Sequence, residues 1–505
     1  MEDALFGTEI EYGCVGSMQP VRAALLVKDA IFRGCRHGLI DPPPREWGEV
    51  PGNGGFLFNG GRMYLDLGHL EHATAECRTL TDIVAHERAG ETIINQAVKA
   101  AELQSQAYFV KNNTDYFGHT FGYHENYCIR QSPYDSDFVD GMLPFLVTRQ
   151  IYTGAGCLLP RGDDTPAAFA LSQRAQFVTI DVSHRVRFGG RPIINLRDEP
   201  LAERTYRRLH VIVGDVNRSE YTTALKIGTT ALVAQLLEQG WSPQLVLADP
   251  VRDLRRIAAT TGGRWTVGTD NDEYIPAIEV QRGYLREAER RFVGRDADTE
   301  WTLENWAWVL DELERDPARL DGYLDWVTKH EQIKRYAGSD QAWTDPDLIK
   351  LDLSYHQIDP SISLFDVLAK LHRNLYWAEG DAVYTAETQA PIDTRAHGRS
   401  LALRALAAAG ADTAIPWQDL RSNLENLMWD RRYFFLAYDY VDDWEDVAAN
   451  NSWDVIPYVL DWKAIAAHGR VLEMPNPFAT YDDEARDFGE SIQHIFEEES
   501  DESGP

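Results

Sequence analysis

Two short stretches of alternating residues constrain the fold more than anything else in the chain. They are Phe6-Gly7-Thr8-Glu9-Ile10-Glu11-Tyr12 and, after Asn59-Gly60-Gly61, Arg62-Met63-Tyr64-Leu65-Asp66. A period of two is that of an extended strand, whose successive side chains point to opposite faces. Glu9 and Glu11 then share one face of the first strand, with Thr8, Ile10 and Tyr12 behind. Arg62, Tyr64 and Asp66 share one face of the second, with Met63 and Leu65 behind. Such faces make a poor core. They make a good site: hard oxygen ligands for Mg²⁺, an arginine for a phosphate and a spare carboxylate for proton transfer. Two half-exposed strands with solvated charges are the alternative reading. The recurrence of the pattern, with Glu71 just downstream, favours the site.

The bulk properties narrow the partners. A chain of 505 residues suggests two or three domains, and 44% hydrophobic with 11% aromatic content suffices for a globular core. The formal charge of −31 argues against nucleic acid and anionic membranes as bulk partners. Any nucleotide must be met by locally concentrated basic residues. No apolar run approaches 18 residues, so no transmembrane helix is expected, and the acidic start lacks the features of a secretory signal. Cys14, Cys35, Cys77, Cys128 and Cys157 are scattered without C-x-x-C spacing. Neither a zinc site nor a disulfide framework is indicated, and a reduced cytoplasmic protein is expected.

Along the chain, helices are predicted over 21–32 and 79–104, and strands over 108–110, 122–130, 168–178 and 209–213. Ser172 and Arg174 share the 168–178 strand. His124, Asn126, Cys128 and Arg130 share a face of the 122–130 strand. A helix from Glu220 is capped by Ser219 and closed by Gly240. After about residue 276 the pattern is helical, over 278–293, 302–313, 323–336, 364–372 and 400–409. A catalytic domain over 1–377, an acidic linker over 378–393, a small C-terminal domain with an extension over 394–490 and a disordered acidic tail over 491–505 are expected.

If the polar faces converge on one sheet, Glu9, Glu11, Tyr64, Glu71 and His210 offer ligands for divalent metal. Arg62, Arg174, Arg191, Arg197, Arg207 and Arg208 can offset triphosphate charge, and Asp66 remains as a proton acceptor. No G-x-x-x-x-G-K-[ST] loop is present, so arginines and metal would replace backbone amides around the phosphates.

Eight ordered blocks then carry a resemblance: G-T-E-I-E-Y-G (7–13), N-G-G-R-M-Y-L-D (59–66), K-N-N-T-D (111–115), G-Y-H-E-N-Y (122–127), L-P-F-L-V-T-R-Q (143–150), L-S-Q-R-A (171–175), R-P-I-I-N-L-R-D-E-P (191–200) and Y-R-R-L-H-V-I-V-G-D (206–215). They resemble the Pup ligase and Pup deamidase/depupylase family, relatives of glutamine synthetase. The resemblance implies an α+β fold, a curved antiparallel sheet backed by helices with a small C-terminal domain. It implies ATP and Mg²⁺, with Glu9, Glu11, Tyr64 and Glu71 at the metal site and Asp66 as catalytic aspartate. His210 is a metal ligand by analogy with the wider superfamily. Arg62, Thr74 and Trp417 resemble ATP contacts, with Arg197 among the phosphate-side arginines. The implied reaction phosphorylates the C-terminal glutamate side chain of a small Pup-like modifier. A lysine of a target protein then attacks the acyl phosphate to form an isopeptide bond. A link to a bacterial proteasome system follows from the same resemblance. The 143–150 block and Asn217-Arg218-Ser219-Glu220 look ligase-like, whereas the Asp66–Glu71 spacing matches the hydrolase branch. A deamidase/depupylase and a non-catalytic modifier-binding homologue are therefore the alternatives.

Overall fold

The computed structural model describes residues 4–43, 52–159, 168–183, 190–262, 264–337, 346–411, 444–450, 453 and 456–502. Its frame is one ten-stranded sheet. In chain order the strands are β1 (Phe6–Gly16), β2 (Gly38–Ile40), β3 (Gly54–Leu57), β4 (Arg62–Asp66), β5 (His69–Ala73), β6 (Ala107–Val110) and β7 (Tyr123–Ile129). After a separate hairpin, β8 (Cys157–Leu159) with β9 (Ala168–Ala170), come β10 (Val178–Ser183), β11 (Arg191–Asn195) and β12 (Arg207–Val211). The spatial order is β10-β11-β12-β7-β1-β5-β4-β3-β2, with β6 on the second half of β1. Only β10 and β11 are parallel. At 11 residues, β1 is long enough to pair with β5 and β7 through its first half and with β6 through its second. The α+β class expected from the sequence is what is found.

Helices cover one face of the sheet. Thr79 caps the helix Leu80–Ala100 by accepting from Asp82 N, and its apolar stripe, with Ile93 and Ile94, meets Ile10, Tyr12, Met63 and Leu70. Ser219 caps the helix Glu220–Glu238, which is buried on nearly every side and packs on Tyr127, Leu209 and Val211. A helix apolar all round belongs in the interior of a large core, and the helices Ala277–Phe292 and Ala297–Arg315 bury it from outside.

Four expectations need correction. Residues 168–178 are not one strand. β9 ends at Ala170 and a 3₁₀ turn, Ala175–Phe177, precedes β10, because the buried Asp215 carboxylate captures the amides of Gln173 and Arg174. The 378–393 stretch is not a bare linker, since it contains the helix Gly380–Ala386. Ala386 packs against Ala85 and Ala89, and its carbonyl accepts from Asn59 Nδ2 at 2.8 Å. The extension expected within 394–490, over 418–475, is core rather than appendage where it is described. It builds a three-stranded sheet, Tyr458–Leu460, Ala464–Ala467 and Arg470–Glu473, buried against the helices Arg395–Ala408 and Asp482–Glu502. That last helix also replaces the disordered tail as far as Glu502, anchored by buried Phe488 and Ile492.

Candidate active site

Antiparallel partners share a face, so strand register assembles the site. Glu11 lies opposite Glu71, Glu71 opposite Tyr64, and Asp66 opposite His69. On the other side of β1, Glu9 lies opposite His124, and beyond it Asn126 faces His210. Among the described residues, the face opposite those helices thus carries two groups of ligating side chains. Glu9, His124 and His210 form one, and Glu11, Asp66 and Glu71 the other; within each, ligand atoms lie within 4.8 Å of one another. Glu9 and Glu11 are two strand positions apart, so the groups adjoin along β1 at a spacing of about 7 Å.

The first group is preset for a cation. His124 Nδ1 hydrogen-bonds Glu9 Oε2 at 2.9 Å, and Asn126 Nδ2 donates to Glu9 Oε1 at 3.1 Å. Burial pushes the Glu9 carboxyl up. The hydrogen bond from His124, with the Arg208 guanidinium nearby, outweighs it and holds Glu9 well below the usual carboxylate range. Burial, Arg208 and His124 push His210 well below its ordinary value, so its ring is neutral. Neither ring nitrogen of His210 has a hydrogen-bond partner among the described residues, which leaves a lone pair to give.

The second group has the opposite electrostatics. Burial and the carboxylates of Glu11, Glu9 and Asp66 push Glu71 far above its usual range, against a hydrogen bond from Tyr64. Burial and the Glu71 and Glu9 carboxyl groups raise the Tyr64 phenol, so it stays a donor. Tyr64 therefore orients Glu71. Gly122 marks how closely backbone approaches these groups: a Cβ there would lie 2.6 Å from Glu11 Oε1 and 2.9 Å from His124 Nε2. Alternating carboxylates with neutral imidazole suit a hard divalent cation, and three oxygen donors alone suit Mg²⁺.

From Glu9 a cavity of about 160 Å³ opens along the ends of β1, β4 and β5. Glu9, Arg62 and Tyr64 line it on one side, Arg207, Arg208 and Arg395 on others, and Trp462 supplies an aromatic wall. The Arg62 guanidinium lies 4.4 Å over the Tyr64 ring. Thr74 lines the cavity too, with Oγ1 accepting from Thr8 N at 3.0 Å. Glu76 clamps the C-terminal segment in place. It pairs with Arg395 Nε at 2.7 Å and with Arg399, which also donates to the carbonyls of Gly60 (2.7 Å) and Trp462 (2.8 Å).

The structure brings Glu9, Glu11, Arg62, Tyr64, Asp66, Glu71, Thr74 and His210 to one region. Arg197 is not among the cavity-lining residues. Its Nε pairs with Glu199 at 2.6 Å and its carbonyl accepts from Arg208. Trp417 lies outside the described residues; among the described residues, Trp462 lines the cavity. His124 and Asn126 were absent from the sequence-derived ligand set, although their shared strand face was visible in the alternation of 122–130.

A sheet that gathers carboxylates on its open face, beside an arginine-lined cavity with an aromatic wall, has the architecture of a carboxylate–amine ligase. A family model described as Pup-ligase protein matches residues 4–421. The Pup–protein ligases of Actinosynnema mirum and Nocardia farcinica are each 37% identical over 439 residues, spanning 84% of this chain and 94% of theirs. The solved complex of the prokaryotic ubiquitin-like protein Pup with its ligase PafA is similar at TM-score 0.78 and 27% identity, over 97% of this chain and 92% of that one. PafA in complex with ADP is similar at TM-score 0.71 and 27% identity, over 95% of each chain. The chain belongs to the Pup-ligase family.

Proposed function

We propose that the protein is an ATP-dependent Pup–protein ligase that joins the C-terminal glutamate of a Pup-like modifier to target lysines. The carrying observation is the pair of ligand groups on one sheet face, abutting an arginine-lined cavity. The ligase names of the relatives and the PafA complexes with Pup and with ADP support the reading.

ATP lies in the cavity, its base against Trp462 and its phosphates toward Arg62, Arg207 and Arg208. Glu9, His124 and His210, and beside them Glu11 and Glu71, hold Mg²⁺. Bound there, the ions supply positive charge against the triphosphate and the charge developing on the transferring phosphoryl group. Tyr64 orients Glu71 and Asn126 orients Glu9. The γ-carboxylate of the modifier's last residue attacks the γ-phosphorus and ADP leaves, giving an acyl phosphate. The target lysine is protonated at neutral pH and must lose a proton before it attacks. Asp66, at the end of β4, accepts that proton. The amine displaces inorganic phosphate and an isopeptide bond results. We assign the catalytic chemistry to residues 1–377 and the adenine-side wall to the C-terminal unit. Reaction in the cytoplasm and supply of a bacterial proteasome belong to the same reading.

The test is incubation with ATP, Mg²⁺, a Pup ending in glutamate and a lysine-bearing target. The expected result is a target mass gain of one modifier, lost in Asp66→Asn. Release of Pup from a preformed conjugate without new conjugation contradicts the ligase reading.

A further inference from the structure

One buried cation near the catalytic face takes no part in the nucleotide cavity. Arg174 is 5% exposed. Its Nη1 donates to the carbonyl of Phe121, while Nε finds no hydrogen-bond partner among the described residues. Burial holds the guanidinium down at about 10, against the opposing pull of the Glu11 carboxylate. Glu11 is the end of the carboxylate row away from the cavity, and Arg174 does not line that cavity.

The loop that carries Arg174 is held from several sides. Asp215, fully buried, accepts from Ser172 Oγ at 2.8 Å, from the amides of Gln173 and Ala155 at 2.9 Å and from the amide of Arg174 at 3.0 Å. Gln173 Oε1 accepts from Asn113 N at 2.6 Å, and Asn113 Nδ2 donates at 3.1 Å to the same Phe121 carbonyl that Arg174 grips. Two sequence blocks without a role at the metal groups or the cavity, 111–115 and 171–175, and the last residue of the 206–215 block thus converge on one arginine beside Gly122. Burying a guanidinium with an idle donor is costly unless an anion completes it. With Nη1 taken by Phe121, Nε is the donor left without a partner among the described residues, and the guanidinium edge that carries it matches a carboxylate bidentately.

We infer that Arg174 binds the free α-carboxylate of the modifier's terminal glutamate. Resting on the ligase reading above, this pairing leaves the side-chain γ-carboxylate over Glu11, Asp66 and Glu71, facing the cavity from which the phosphoryl group arrives. The position beyond Glu11 selects a substrate carboxylate over the nucleotide's phosphates. It also gives an acidic enzyme a specific hold on the end of an acidic modifier.

The test is the dissociation constant of fluorescein-labelled Pup ending in glutamate, with either a free α-carboxylate or an α-carboxamide. It is measured without ATP for the full-length wild type, Arg174→Gln and Arg174→Lys. Wild type is expected to prefer the free carboxylate by at least about tenfold, the size of a charge-assisted pair. Arg174→Gln is expected to bind both forms equally and weakly, with KM for ATP within about twofold of wild type. Arg174→Lys keeps the charge but not the fork, so an intermediate preference is expected, and it serves if Arg174→Gln fails to fold. Equal binding of both Pups by wild type, a preference retained in a folded variant, or a tenfold rise in KM for ATP with the preference intact would each overturn the assignment. A wild type that binds neither Pup and forms no conjugate takes down the ligase reading as well. Conjugation without α-carboxylate preference removes only Arg174.

Discussion

The two faces of the central sheet solve the same problem, buried charge, in opposite ways. Behind β1, Thr8 donates to Glu87 at 2.9 Å, Tyr123 does so at 3.0 Å, and Lys111 reaches both Glu87 and Glu91 at 3.0 Å. Arg218 joins Glu91 to Asp366, and Arg149 grips Glu125 through two contacts, at 2.5 and 2.8 Å. Each of these four acids has a cation. In front of the same strand, Glu11, Asp66 and Glu71 crowd together, and their mutual repulsion raises Glu71. The rear network closes within the chain. The front gathers carboxylates in one place, and a divalent cation fits those donors. Charge balance, not burial, separates the face that holds the fold from the face that works.

The sharpest break comes at Asp66. Asp66→Asn keeps the shape and removes the proposed proton acceptor, and isopeptide formation is expected to fall by about 10³-fold in a conjugation assay, the scale of lost general-base catalysis. Unchanged turnover would move Asp66 out of the proton path. The same manoeuvre on the rear face should act on stability instead. Arg149→Met strands Glu125 in a fully buried setting, and urea unfolding is expected to show a loss of about 3–5 kcal/mol. A loss below about 1 kcal/mol would show that the rear network is not closed in the sense argued here.

Acid should expose the cost of holding groups away from their solution protonation. Burial and neighbouring His72 hold His86 down at about 3, below its ordinary 6.5. Glu76 is held at about 2: burial opposes, but Arg399 and Arg395 prevail. In each case the unfolded chain takes up its proton at higher pH than the folded one. Stability is therefore expected to be full above about pH 6.5 and to fall as pH drops toward about 2. The slope between pH 6 and 4 should flatten in His86→Leu, and an unchanged slope would remove His86 from the account. The smallest effect is the most telling. Glu71→Gln relieves like-charge repulsion, so the metal-free protein is expected to gain about 1 kcal/mol. The same variant should lose any stabilisation by added MgCl₂. Destabilisation without metal would mean the front carboxylates do not strain one another.

Period-two alternation made the site strands legible, because a strand writes its faces directly into sequence. Ser219 with Gly240, and Thr79, made two of the main helices legible at their starts or ends. What failed were segments whose structure is set by distant partners. The Gln173 and Arg174 amides leave strand pairing for Asp215, some forty residues away in sequence. The acidic stretch holding the helix Gly380–Ala386 lacks a broad apolar stripe and docks through the small Ala386. The helices Pro250–Ala258 and Pro346–Tyr355 were not read at all, being short pieces within a mixed pattern. His124 escaped because a half-exposed histidine on an alternating strand looks like any solvated face until register sets it against Glu9. Trp462 escaped because a cavity wall made by a separate segment has no local sequence mark.

On the ligase reading, the front-face carboxylates close around a divalent ion together with a nucleotide. Calorimetric titration of ADP into the full chain, with and without MgCl₂, tests it most directly in wild type and Glu9→Gln. The account expects wild type to bind ADP at least about tenfold tighter with Mg²⁺ present, and expects that gain to vanish in Glu9→Gln. A wild type indifferent to Mg²⁺, or a Glu9→Gln variant that keeps the full gain, would contradict it.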